Sequence, residues 1–135
     1  MFTLKTYNGQ FPETNRIFIL NKGINTGKPS LTPFVNSFAL TASNEEEARF
    51  YYFLCLALWK AKKFRQLLIG SVILFIRKDD LDKEIRQYKE LLSTKPGFMK
   101  SVEKILDLER LLAAKRAQLN KMEELKTAIL INYIS

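Results

Sequence analysis

Among its 135 residues the chain has no histidine, one cysteine and one tryptophan. Without histidine, both a histidine-assisted serine or cysteine nucleophile and a histidine metal site are excluded. One cysteine cannot form an internal disulfide or a zinc ribbon, and Cys55 lies inside an apolar segment, as a small buried core residue does. We therefore expect a cytoplasmic protein that is not an enzyme and has no metal, no cofactor and no small-molecule substrate.

Long apolar runs are also missing. Every residue from Phe50 to Trp59 is apolar, but this block has half of the roughly 20 residues that a membrane-spanning helix needs. The first residues, Met1–Lys5, lack the basic start and apolar run of a secretory signal. A helix that is apolar on all sides lies inside a protein. We therefore expect this block, its aromatic residues included, to be a buried core helix, and we expect no membrane partner.

The central helix has a predicted beginning and end. Ser43 can cap its first turn, and Glu46 three residues later can reach back to the Ser43 amide. The basic run Lys60–Arg65 suits the negative end of a helix, and Gly70 can end it in a left-handed conformation. The apolar run Ser71–Arg77 then predicts a buried strand.

The residues before this helix predict a small sheet. Thr3–Tyr7 alternates in polarity, and Asn8-Gly9 is the turn signal of a hairpin whose return strand would follow at once. Arg16–Leu20 is a short apolar run that predicts a buried strand. Asn21–Pro33 contains two glycines and two prolines and predicts a loop, after which Phe34–Thr41 predicts another strand.

The second half of the chain predicts helices. Asp79 or Asp80 can cap a helix whose apolar stripe runs from Leu81 to Leu92, and Thr94–Gly97 then interrupts it. The predicted fold class is α+β, with a small N-terminal β-sheet around one buried central helix and a long C-terminal helix. The corresponding domains are residues 1–97 and a helical arm, residues 98–135.

The arm has a seven-residue apolar repeat over about five heptads, enough for a coiled coil. Lys115 and Lys126 interrupt the repeat. One interpretation is an interface with a second copy or with a helical partner protein. The others are a helix packed on its own domain and an antiparallel hairpin with the helix of residues 81–92. The predicted interface residues are Ile105, Leu108, Leu112, Leu119, Met122 and Ile129.

The net charge of +8 permits a polyanionic partner such as DNA without requiring one. The excess is spread along the chain, with concentrations in the segments 22–28 and 60–65. The predicted DNA-binding residues are Lys22, Lys28, Lys60, Lys62, Lys63 and Arg65.

Two other patterns suggest ligand sites, but neither has the required spacing. Three residues separate Gly23 from Gly27 where a phosphate-binding loop has four, and Pro29 replaces the hydroxyl residue. The acidic run Asp79–Asp82 lacks the glycine and glutamate of a calcium loop. We interpret the first as a basic surface loop and the second as a helix beginning.

The segments Phe50–Leu54, Gly70–Ile76 and Leu81, with Glu124–Leu130 near the end, resemble type I restriction–modification specificity subunits. Their target-recognition domains show an aromatic-rich helix, a Gly-Ser-apolar strand and a leucine, and a spacer helix follows. The resemblance implies a domain that grips DNA and spacer helices that pair as a coiled coil. As a whole the chain is similar to small uncharacterised proteins of gut Bacteroidales bacteria and their mobile elements or phages, which implies a cytoplasmic or phage-associated setting.

Two functional hypotheses follow. The first is a non-enzymatic binding module that meets DNA through its basic loop and patch and oligomerises through residues 98–133. The second is a structural or assembly protein, such as a phage particle component or an adaptor, that uses the same helix on a protein partner.

Overall fold

The computed structural model describes residues 1–9 and 14–135 and confirms the α+β class. An antiparallel sheet near the N-terminus is followed by three α-helices, the last of which is long. The chain divides into two compact units, Met1–Pro96 and Gly97–Ser135. The first unit contains the sheet and two helices, and the second contains the long helix.

Four strands form the described sheet, in the order β1-β4-β2-β3. The Arg16–Leu20 strand is confirmed, and the predicted third strand begins three residues later than expected. β1, which precedes the predicted turn at Asn8-Gly9, pairs with β4. The return strand itself falls on residues 10–13, outside the described residues. The strands are β1 (Phe2–Thr6), β2 (Arg16–Leu20), β3 (Pro29–Ser30) and β4 (Ser37–Ala42).

Helix α1 (Glu45–Lys60) begins one residue later than predicted. Asn44, not Ser43, is the N-cap, and its side-chain oxygen accepts a hydrogen bond of 2.8 Å from the Glu47 amide. The Glu47 carboxylate, not that of Glu46, reaches back and accepts from the Ser43 amide at 3.2 Å. The side-chain cap is therefore shifted by one residue, whereas the amide that receives the glutamate is still that of Ser43, the residue before the N-cap.

Helix α1 ends well before Gly70, so the predicted stop is wrong. The Lys62 amide donates to the Trp59 carbonyl at 3.0 Å, and the Lys63 amide donates to the Leu58 carbonyl at 2.9 Å. Lys62 has φ +61°, the left-handed conformation usually taken by glycine at this position. These are the bonds of a Schellman motif, and they satisfy the last carbonyls without a glycine.

One stripe of α1 forms the centre of the core. Tyr51, Leu54 and Cys55 are fully buried, and Leu58 continues the same stripe one turn later. The helix packs against β2, β3 and β4. Phe53 is also buried, but Phe50, Tyr52 and Trp59 are half-buried. The prediction of a helix shielded on all sides is therefore wrong, because the sheet covers one side of it.

The run Ser71–Arg77 is not a buried strand. Val72 is 93% exposed and Ile73 is 63% exposed. Ile69 and Phe75 exchange two backbone hydrogen bonds, of 3.0 and 2.9 Å, which close a loop that carries these side chains. Gly70 has φ +109° within this loop and does not end a helix. A short 3₁₀ turn, Arg65–Leu67, precedes it.

Helix α2 (Lys78–Ser93) has the predicted stripe, with Leu81 and Ile85 fully buried against α1 and β1. Its N-cap is Arg77, which makes no side-chain capping bond, so the prediction that Asp79 or Asp80 caps the helix is wrong. Both aspartates lie in the first turn, where their negative charge interacts favourably with the positive end of the helix dipole.

The second unit is helix α3 (Phe98–Ile134), 37 residues long, which confirms the predicted long C-terminal helix. It begins after Gly97, whose φ is +86°. None of the helices in the described chain is both long and apolar enough to cross a membrane.

Candidate functional site

The two basic segments of the sequence meet around one cleft of about 680 Å³, the basic cleft. The loop after β2 supplies Ile24, Asn25 and Thr26. The end of α1 and the turn after it supply Trp59, Lys60, Lys62, Phe64 and Arg65. Leu68 and Leu74 complete the lining. The cleft forms because the end of β2 lies beside the end of α1.

A close contact holds the loop against the helix end. Gly27 has φ +95°, and a Cβ at this position would lie 2.4 Å from Cδ2 of Phe64. Phe64 is itself almost fully buried, with 2% exposure. The Gly27 amide donates to the Leu20 carbonyl at 2.7 Å, which closes the loop at its base. A side chain at Gly27 would therefore push apart two walls of the basic cleft.

Several backbone amides of the glycine-rich loop donate hydrogen bonds to backbone carbonyls of the protein. The Gly23 amide donates to the Leu74 carbonyl at 2.8 Å, and the Thr26 amide donates to the Gly23 carbonyl at 3.2 Å. The Lys28 amide donates to the Asn25 carbonyl at 3.0 Å. A phosphate-binding loop instead points such amides at its ligand. An anion in the basic cleft would thus be bound by side-chain cations.

Two lysines from different segments lie close to the Trp59 ring. The Lys28 ammonium is 5.3 Å from the centroid of the indole ring, and the Lys60 ammonium is 5.8 Å from it. Both distances fall within the range of cation–π attraction. Trp59 thus holds a cation of the β2–β3 loop next to a cation of the helix end.

All charged residues that line the basic cleft are positive. Three of its lining residues, Lys60, Lys62 and Arg65, are cationic, and no lining residue is acidic. The rest of the lining is uncharged: Ile24, Leu68 and Leu74 are apolar, as are the aromatic Trp59 and Phe64, and Asn25 and Thr26 are polar. Such a lining favours a ligand that combines anionic groups with an apolar or planar group.

The described residues also bear on metal binding and on cysteine chemistry. They contain no group of three or more histidine, cysteine, aspartate or glutamate residues that could hold a metal ion. Cys55 is fully buried, and burial raises the pKa of its thiol far above the ordinary value. The nucleophilic thiolate is therefore suppressed at neutral pH.

The structure groups most of the predicted DNA-binding residues. Lys60, Lys62 and Arg65 line the basic cleft, and Lys28 reaches it over Trp59. Lys22 and Lys63 are exposed but are not part of the lining. The sequence interpretation missed Trp59, which was assigned to the core. Its position at the end of an apolar block, directly before a lysine run, was the available signal that it borders solvent.

The predicted interface residues of α3 are all exposed, by between 46% for Ile105 and 68% for Met122. Leu108, Leu112, Leu119 and Ile129 fall between these limits. Lys126, which interrupts the apolar repeat, pairs with Glu123 on its own helix at 3.1 Å.

Comparison with known proteins gives a family and no activity. No curated protein matches the chain, and no solved structure matches it. A family model does match, over residues 4–132, which includes all of the sheet except the first two residues of β1, both shorter helices and most of α3. The chain therefore belongs to this family of unknown function, DUF6943.

Proposed function

We propose that this protein is a binding module that holds DNA at the basic cleft. The observation that carries the proposal is the meeting of two sequence-distant basic segments around one concave surface whose lining has three cations and no acid. Lys28, held over Trp59, adds a fourth cation. The resemblance to specificity subunits agrees with DNA as the partner, and it stays a prediction.

Binding of this kind is largely electrostatic, because side-chain ammonium and guanidinium groups neutralise the phosphates, whereas the Gly23, Thr26, Gly27 and Lys28 amides of the loop already donate to backbone carbonyls. Each neutralised phosphate of duplex DNA contributes about −0.9 to the slope of log K against log salt. Four cations therefore predict a slope of about −3 to −4. Affinity should fall steeply between low and moderate salt.

The test is a salt titration of binding to end-labelled mixed-sequence DNA, followed by fluorescence anisotropy. The variant Lys62→Glu/Arg65→Glu should bind at least about tenfold more weakly and should lose about two from the slope. The matched control is Lys5→Glu/Lys83→Glu, which changes net charge equally. Lys5 lies on β1, at the sheet edge opposite β3, and α2, which carries Lys83, packs against β1.

The affinities of the cleft variant and the control variant for DNA decide whether the basic cleft is the binding site. If the control pair weakens binding as much as the cleft pair, the interaction is diffuse and the basic cleft is not the site. If wild-type protein at micromolar concentration shows no salt-sensitive binding, the proposal is wrong.

We further propose that α3 associates with α3 of a second copy. Its apolar positions recur every three and four residues, the spacing that keeps one face of a helix against a second helix. The exposed fractions of Leu112 and Leu119, 51% and 59%, leave these side chains available to such a partner. A dimer would also place two basic clefts on one assembly, so that they could engage one strand together.

Molar mass in solution tests the second proposal. Leu112→Asp/Leu119→Asp should convert an oligomer into a monomer, whereas Ala113→Asp/Ala117→Asp should not, because those alanines lie on the opposite side of the helix. A wild-type protein that is monomeric at high micromolar concentration would contradict self-association.

The alternative is an assembly protein that uses α3 on a different protein. The same exposed apolar positions favour it. The cleft variant Lys62→Glu/Arg65→Glu separates the two functions: a DNA module loses its partner, whereas an assembly protein still assembles.

A further inference from the structure

The basic cleft has a feature that phosphate binding alone does not use. Its floor includes Trp59, the single tryptophan of the chain, and Phe64. Trp59 is half-buried, so part of its ring surface faces the cleft. Ile24, which is 92% exposed, stands on the loop side.

The size and shape of the basic cleft discriminate between forms of nucleic acid. Its volume of about 680 Å³ lies among clefts that enclose a small organic group, typically about 300–1,000 Å³. The bases of a duplex are stacked inside the helix and cannot enter such a space. The bases of a single strand can leave the stack and lie on an aromatic ring.

We infer that the basic cleft takes up an unpaired base of a single-stranded nucleic acid. The base lies against Trp59, and the neighbouring phosphates contact Lys28, Lys60, Lys62 and Arg65. This rests on the proposed DNA-binding function and names the form of nucleic acid that it selects. A base that stacks on the indole displaces an ammonium group from the ring, and a phosphate of the same strand then pairs with that ammonium.

The experiment uses Trp59 as its own reporter, since no second tryptophan contributes to the emission. Three end-labelled probes are compared: an oligothymidine of about eight nucleotides, an abasic oligomer with the same number of phosphates, and a duplex that is long enough to stay paired at the assay temperature. Anisotropy gives each affinity, and tryptophan emission reports contact with the ring. Oligothymidine should bind about five- to 150-fold more tightly than the abasic oligomer, the range expected for one stacked base, and should quench the emission.

Two variants test the role of the ring. Trp59→Leu should bind oligothymidine and the abasic oligomer with nearly equal affinity, because it keeps the cations and loses the stacking surface. Trp59→Phe should retain part of the preference and guards against a general loss of folding. The control Lys5→Glu/Lys83→Glu should leave the preference unchanged.

Each other result overturns the inference in a recognisable way. Equal affinity of wild-type protein for oligothymidine and the abasic oligomer, or tighter binding of the duplex, refutes base insertion and leaves electrostatic DNA binding standing. Emission that responds to vesicles of anionic lipid and not to oligothymidine assigns the basic cleft to a lipid. If none of the three probes binds at low salt, the proposed function fails together with the inference.

Discussion

The contact between Gly27 and Phe64 gives the sharpest test of how the basic cleft is built. Gly27 and Gly23 have nearly the same φ, +95° and +93°, on the same loop. A Cβ at Gly23 would meet nothing within 4 Å, whereas a Cβ at Gly27 would lie 2.4 Å from Phe64. The two alanine variants therefore share the backbone strain and differ only in the clash. Gly23→Ala is thus the matched control for Gly27→Ala.

Backbone strain and the clash with Phe64 set how much each alanine variant lowers the free energy of unfolding. A left-handed conformation costs an L-residue about 1–2 kcal/mol, and loss of glycine freedom in the unfolded chain returns about 0.4–1 kcal/mol. Gly23→Ala should therefore lower the free energy of unfolding by about 1 kcal/mol. Gly27→Ala adds an overpacking cost of about 1–3 kcal/mol, since Phe64 is buried and cannot swing away. Its total should be about 2–4 kcal/mol.

Urea denaturation followed by Trp59 emission measures both variants, and Phe64→Ala completes a double-mutant cycle. In the Phe64→Ala background, the extra cost of Gly27→Ala should shrink, because the Cγ and Cδ2 atoms that clash with the new Cβ are gone. The reasoning is refuted if the two glycine variants are equally stable, or if their difference persists without the Phe64 ring.

Three other predictions follow from local contacts. Lys62→Gly should raise the free energy of unfolding by about 0.5–1 kcal/mol in the same urea assay, because glycine relieves the left-handed strain at the end of α1; a loss of stability would contradict the Schellman interpretation. The hydrogen bond from the Ser43 amide lowers the pKa of Glu47 below its ordinary value of 4.5. The ionised Glu47 carboxylate therefore stabilises the fold above pH 4.5, and this stabilisation is lost as pH falls through the folded-state pKa. Glu47→Gln should therefore be less stable than wild type at pH 7 and equally stable near about pH 2, as measured by thermal unfolding; a pH-independent difference would exclude this titration as the cause. Cys55 should react with a thiol reagent such as DTNB in native buffer only as fast as the protein unfolds, because it is buried and its thiol pKa is raised; rapid labelling of folded protein would show that the core opens locally.

Several elements could be predicted because their signals are local. β2 is a short run of β-branched and aromatic residues, and the stripe that contains Leu81 and Ile85 has helical spacing. The long helix α3 has no internal glycine or proline, and it begins directly after Gly97, at the end of the break that follows α2. Periodicity and breakers act within a few residues of chain, so the sequence is enough to locate these elements.

The wrong structural predictions concern segments whose conformation and burial depend on residues distant in the sequence. The run Ser71–Arg77 is apolar enough for a buried strand, but none of the four strands of the described sheet pairs with Val72 or Ile73, and both side chains are exposed. The end of α1 uses Lys62 in a conformation that sequence patterns assign to glycine. Burial and strain are set by the surroundings of a residue, and its type gives only a preference.

By itself, the sequence determined the α+β class, the positions of β2, α2 and α3, and the residues that carry positive charge, because these depend on side-chain type and short-range spacing. The tertiary structure alone decided that β1 pairs with β4 and that Lys28 lies over Trp59 beside Lys60. Those pairs are separated by about 30 residues or more along the chain. The β1–β4 contact is a backbone ladder within the sheet, whereas the Lys28–Trp59 contact arises from the packing of α1 on the sheet, which also creates the basic cleft.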